Sequence, residues 1–117
     1  MMLLRRPDVA MDISRRGQAP YLRVGTDSVM NTYTLHLRNN RSERLVLKLE
    51  RNAATGGTFN WEGRSFALSS GQTMDLPLDF RLPTEAFRRG SADAGLILTG
   101  PGVRENLSVR LAGPWGN

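Results

Sequence analysis

An all-β, antiparallel sandwich is the fold class this sequence predicts, and three observations predict it. Apolar and polar residues alternate along most of its length, the period of a strand with one buried and one wet face. The alternating runs are short and recur roughly every 8–12 residues between turn-forming clusters. No stretch sustains the 3.6-residue period of an amphipathic helix.

The first run, residues 9–13, sets Val9, Met11 and Ile13 against Ala10 and Asp12. Residues 14–20 read as loop, with Gly17 and Pro20 as punctuation, and residues 21–24 as a short edge segment before a turn at residues 25–28. The central strand follows. Asn31-Thr-Tyr-Thr-Leu-His-Leu-Arg-Asn39 points Tyr33, Leu35 and Leu37 one way and Thr32, Thr34, His36 and Arg38 the other. Residues 39–43 are a polar loop of hairpin length, and residues 44–50 again alternate, with Leu45, Leu47 and Leu49 inward. Val46 is the one apolar residue on the outer face of that run. These two runs are expected to pair as a hairpin.

Residues 52–57 are small, polar loop residues. Thr58-Phe-Asn-Trp61 and Ser65-Phe-Ala-Leu68 flank Glu62-Gly63 and are expected to form a second hairpin. After the turn Ser69-Ser-Gly71, the next run places Met74, Leu76, Leu78, Phe80 and Leu82 on one face. Its Pro77 has no N–H to donate, so the strand must be an edge there or turn that position away from its neighbour. Residues 83–93 keep no period; one helical turn fits residues 84–87, with Phe87 beneath it. Leu96-Ile-Leu98 is consistent with a strand buried on both faces. Gly100-Pro-Gly102 is a turn, residues 103–111 alternate Leu107, Val109 and Leu111 inward, and residues 115–117 are a tail. About seven strands in this pattern argue for an immunoglobulin-like antiparallel sandwich over residues 7–114.

Composition narrows the function. A chain of 117 residues is one domain, and 39% hydrophobic content supports a single core. No run approaches the ~20 apolar residues needed to cross a bilayer. With no cysteine, the chain has no disulfide, thiolate metal site, cysteine nucleophile or iron–sulfur cluster. The net charge of +5 is carried by arginine, with Lys48 the single lysine, and the arginines are scattered rather than interleaved with aromatics. That distribution speaks for a solvated surface and against a nucleic-acid interface. Residues 1–6 are an apolar stub ending in Arg5-Arg6, too short for a signal peptide. Two readings of them stand: an ordinary frayed start, or the exit of a longer membrane helix.

Few side chains offer chemistry. His36 is the only histidine and belongs to a wet strand face, where one imidazole without a partner is neither metal site nor base. Asp75 and Asp79 lie four apart on the outer face of their strand, which explains both without a catalytic pair. Met11, Met30 and Met74 are soft donors of the kind copper(I) takes, but alternation assigns Met11 and Met74 to the core and leaves Met30 open. Phe59, Trp61 and Phe66 are the candidate partner-binding residues, an aromatic patch on the second hairpin; closing one end of the core is the competing explanation. No catalytic residue, metal ligand, cofactor site or small-molecule substrate is expected.

The central strand carries a resemblance. Asn31-Thr-Tyr-Thr-Leu-His-Leu-Arg-Asn39 resembles the N-x-Y-T-x-K-x-x-N strand of the immunoglobulin-like C-terminal domain of FixG-type cytochrome c oxidase accessory proteins. The match falls on Asn31, Tyr33, Thr34 and Asn39. Asp12 through Tyr21 looks like a loose form of that family's D-R-x-x-x-Y entry, with the arginine displaced to Arg15 and Arg16. Residues 71–83 are similar to its G-E … P strand, and Leu111-Ala-Gly-Pro114 to its closing F-x-G-P. The resemblance implies a bacterial inner-membrane protein involved in assembling cbb3-type oxidase, with clusters and membrane helices ahead of this domain. It implies a non-enzymatic extramembrane interaction or spacer domain on the periplasmic side, contacting a protein partner in oxidase assembly. Arg5-Arg6, read as a helix exit, fits the cytoplasmic side instead under the positive-inside rule. A partner would dock by adding a strand at an open edge or through the aromatic hairpin. The alternative is a copper-handling or other periplasmic binding sandwich.

Overall fold

The computed structural model describes residues 8–17, 19–52 and 56–115. The reading of residues 1–6 as frayed start or helix exit therefore lies outside the described residues. In chain order the strands are β1 (Val9–Arg15), β2 (Leu22–Val24), β3 (Ser28–Asn39), β4 (Leu45–Arg51) and β5 (Thr58–Phe59). They are followed by β6 (Ser65–Leu68), β7 (Thr73–Pro83), β8 (Ser91–Gly100) and β9 (Val103–Ala112). The first sheet has the order β1-β3-β7-β5, with β2 also pairing on β3; the second has the order β6-β4-β8-β9. All the pairings are antiparallel. Nine strands are described where about seven were expected; the very short β2 and β5 fall in the edge segment 21–24 and the run 58–61 marked in the sequence.

β3 organises the first sheet. Its alternation continues beyond the stretch seen in the sequence, so that Val29, Asn31, Tyr33, Leu35, Leu37 and Asn39 are all buried. Leu35 lies between Ile13 of β1 and Leu76 of β7 in register, and His36 between Asp12 and Asp75. The core is mostly leucine: Leu35, Leu47, Leu49, Leu78, Leu98 and Leu111 are fully enclosed between the sheets. Burying each contributes about 1.5–3 kcal/mol. Thr84–Ala86 is the expected single turn, of 3-10 type, with Phe87 buried at its end.

Three expectations from sequence are corrected here. β3 and β4 are not a hairpin: β4 pairs with β6 and β8, so the loop after Asn39 crosses from one sheet to the other. Likewise β5 joins β7 while β6 joins β4, so the aromatic hairpin does not form. The reason is the same in both cases. Alternation says which side chains face a core, not which sheet the strand belongs to, and a short loop spans the ~10 Å between stacked sheets as readily as it closes a hairpin. Thirdly, β8 is buried on one face only. Leu96 and Leu98 are enclosed, while Ile97 is half-buried on the outer face between the positions of Glu50 and Asn106.

The hairpins that do form are β2–β3 and β8–β9. The second closes through Pro101 and Gly102, with the proline first and the glycine at φ 69°, the pattern of a type II turn. Pro77 meets its constraint: β5 covers only Phe80 and Arg81, leaving β7 an edge at Pro77. There the Asn60 side chain takes the place of a neighbouring strand. Its Oδ1 accepts the Asp79 N–H at 2.9 Å and its Nδ2 donates to the Pro77 carbonyl at 2.9 Å.

Candidate functional site

The most distinctive residues of β3 turn out to hold the two sheets together. Asn31, 1% exposed, accepts the Ala112 N–H on Oδ1 and donates from Nδ2 to the Ala112 carbonyl, both at 2.8 Å. A side-chain amide thus reproduces one rung of strand pairing, between sheets. The Tyr33 hydroxyl donates to the Arg110 carbonyl at 2.7 Å and accepts from Arg15 Nη2 at 2.9 Å. Burial pushes the Tyr33 pKa above its ordinary 10.0, against the opposing pull of Arg15. At the other end of the strand Asn39, fully enclosed, donates to the carbonyls of Glu43 at 2.8 Å and Leu68 at 2.9 Å, and accepts the Arg41 N–H at 2.8 Å. These bonds fix the loop that crosses between the sheets. At the chain's closing motif, Gly113 lies so close to the Phe87 ring that a Cβ there would collide with it.

The family model described as an IG-like fold at the C-terminal of FixG matches residues 1–114. The chain belongs to the FixG C-terminal immunoglobulin-like family. Among solved structures, a FixG-related protein from Vibrio parahaemolyticus superposes with a TM-score of 0.73 at 19% sequence identity. That match spans 92% of this chain and 98% of the other, and at this identity it speaks for the fold. No curated protein matches the chain.

For this FixG-type domain, the aromatic trio is split by the structure. Phe59 is a core residue, 6% exposed and packed against Phe80 with ring centroids 5.7 Å apart. It leaves the proposed patch because β5 joins the first sheet and sends Phe59 inward, beside Phe80 in register. Trp61 and Phe66 remain as a half-buried edge-to-face pair at 6.0 Å, with Arg64 stacked 4.8 Å from the Trp61 ring centre. Arg51 ties the same loop down through Glu62 at 3.4 Å and the Gly57 carbonyl.

On the outer face of the first sheet lies a constellation the sequence reading missed. His36 has its ring open to solvent as expected, but it is not without partners. Its Nδ1 lies 2.7 Å from Asp75 Oδ1 and its Nε2 lies 3.1 Å from Ser14 Oγ. Alternation put His36 and Asp75 on wet faces, and Ser14 was expected in a loop; β1 in fact runs on to Arg15, and the strand order β1-β3-β7 makes the three neighbours, with Ser14 on the diagonal. His36 and Asp75 border a shallow depression of about 320 Å³ that also meets Asp12, Arg38 and Met11.

Serine, histidine and aspartate in this order are the parts of an acyl-transfer triad. Here two observations weigh against that chemistry. The Ser14 N–H points into the ladder toward Thr34, in phase with the Arg16 N–H that donates to the Thr32 carbonyl at 3.0 Å. The Ser14 N–H is thereby engaged in the ladder and not aimed at an oxyanion on Ser14. The His36 and Asp75 side chains are 42% and 67% exposed, so water competes for both. The group acts as a cross-strand polar brace.

Asp79 faces outward as expected and is paired with Arg16. Met11 and Met74 pack against the core, and Met30 sits on the outer face, beside Leu22 and Arg81 in register. Among the described residues no three His, Cys, Asp or Glu side chains converge as a metal-ligand set. No described helix is long and apolar enough to cross a membrane.

Proposed function

We propose that this domain is a non-enzymatic interaction and spacer module of a membrane-bound FixG-type protein, held outside the membrane on the periplasmic side. In that role it contacts a protein partner during assembly of cbb3-type cytochrome oxidase. The observation that carries the reading is what the signature residues do. Asn31, Tyr33 and Asn39 are engaged in joining two sheets, so the family's pattern specifies a rigid platform rather than a reaction centre. A platform of this kind serves its parent through its surface.

The test is removal of residues 7–114 from the membrane-bound parent, followed by a spectroscopic assay of assembled oxidase in membranes. Loss of assembled oxidase, with the truncated parent still present at normal abundance, is the expected result. Undiminished oxidase assembly would overturn the reading.

A further inference from the structure

The two sheets leave one side of the sandwich open, where β1 and β9 are the edge strands. Two clips fix these strands beside one another. Arg41 reaches Asp8 at 3.2 Å and the Gly102 carbonyl at 2.9 Å; the Tyr33 hydroxyl links Arg15 at 2.9 Å to the Arg110 carbonyl at 2.7 Å. β1 and β9 therefore run in the same direction, tied at both ends, with no backbone pairing between them.

The phase of β9 identifies which of its groups are free. Gly113 donates to the Gly90 carbonyl, so odd-numbered residues of β9 bond toward β8, and the register continues unbroken from Ser91↔Ala112 to Gly100↔Val103. Even-numbered residues point their N–H and C=O groups away from β8. The clips from Asn31 and Tyr33 take those of Ala112 and the Arg110 carbonyl. Among the described residues, what remains open is the backbone of Arg104, Asn106 and Ser108. An edge of this length is a template for about one added strand of five or six residues.

The side chains decide what the edge accepts. Arg104, Asn106, Ser108 and Arg110 form the exposed outer row, with two guanidiniums and no carboxylate. Arg104 has no ion-pair partner among the described residues, and Arg110 is held only by Asp93 at 3.5 Å, both side chains 77% exposed. On the inner row Leu107 is half-buried against the core, as are Met11 and Ile13 of β1, and Glu105 shares its row. A second copy of this chain pairing through β9 would bring arginine toward arginine, which opposes self-association.

We infer that the free edge of β9 at residues 104–108 is a strand-addition site for an extended acidic segment of a partner protein. Carboxylates on alternate residues face Arg104 and Arg110, and the intervening apolar residues cover Leu107. This proposal rests on the reading of the domain as a docking module and names the surface that docks.

The experiment is a backbone-amide NMR titration of the domain with a capped seven-residue peptide alternating Glu and Val, against its Lys-Val counterpart. The acidic peptide is expected to shift and protect the amides of Arg104, Asn106 and Ser108, and the basic one to leave them unmoved. Arg104→Glu with Arg110→Glu should weaken the acidic peptide at least about tenfold. Asn106→Pro should abolish its binding while leaving the melting temperature nearly unchanged, because that N–H takes no part in the β8 ladder. A large melting loss in Asn106→Pro would contradict the phase assigned to β9 and overturn the proposal. So would equal binding of both peptides, or no response at millimolar peptide. Binding mapped to Trp61 and Phe66 would overturn the β9 site alone and leave the docking reading standing, whereas that reading fails only by the oxidase assay.

Discussion

Asn31 and Tyr33 show how single residues decide whether this sandwich closes. Asn31→Ala leaves the N–H and C=O of Ala112 without partners at a buried joint and should cost about 2–3 kcal/mol in denaturant unfolding. Tyr33→Phe removes one donated and one accepted bond, and should cost about 1–3 kcal/mol. It should also change the alkaline limb of the stability curve. Because burial raises the folded-state pKa of Tyr33 above 10.0, its contribution is fully present below that pH and is lost as pH rises through the folded value. A pH titration of stability should therefore fall less steeply above pH 10.0 in Tyr33→Phe than in the parent chain. On the same strand, Leu35→Asp buries an unpaired charge and should abolish folding, since a domain has only ~5–15 kcal/mol to lose. His36→Asp sets a carboxylate between Asp12 and Asp75 and loses the Ser14 contact, a cost of about 1 kcal/mol in a thermal melt.

At the scale of the element, β4 gives the sharpest contrast between faces. Leu47 is fully enclosed, so Leu47→Ala should cost roughly 2–5 kcal/mol. Lys48, one residue along, pairs with Glu50 at 3.2 Å, both side chains about half exposed, so Lys48→Ala should stay within about 0.5 kcal/mol. Denaturant midpoints of the two variants check this directly, and equal losses would mean that β4 is turned over. β7 illustrates the opposite case, an element completed from outside itself. Its Pro77 stops a neighbour from pairing, and Asn60 supplies the missing bonds from a loop.

For the whole molecule the consequence is kinetic. β3 pairs with β7 across a long stretch of chain, and the clip between Asn31 and Ala112 closes a loop of 81 residues in a chain of 117. Loops of that length must close before their contacts repay the lost entropy. Refolding should accordingly take roughly milliseconds to seconds, as for other all-β sandwiches, and stopped-flow tryptophan fluorescence measures it. Sub-millisecond refolding would contradict the topology, because only the β8–β9 hairpin is both long and local, while the β1–β3, β3–β7 and β4–β8 pairings join distant segments.

The sequence by itself determined the strands and their inward faces. A two-residue period survives any arrangement of sheets, so Leu35, Leu47, Leu78 and Leu111 were legible as core before any fold was known. The constraint at Pro77, the helical turn above Phe87 and the family pattern at Asn31, Tyr33 and Asn39 were equally local signals. Only the tertiary structure decided which sheet each strand joined. That choice turned two expected hairpins into crossings between sheets, drew Phe59 into the core, and gave His36 its partners on β1 and β7. It also left β9 half open, with its arginines along the free edge. Periodicity records the direction of a side chain relative to its own strand; neighbours across strands depend on order and register, which form only when distant segments meet.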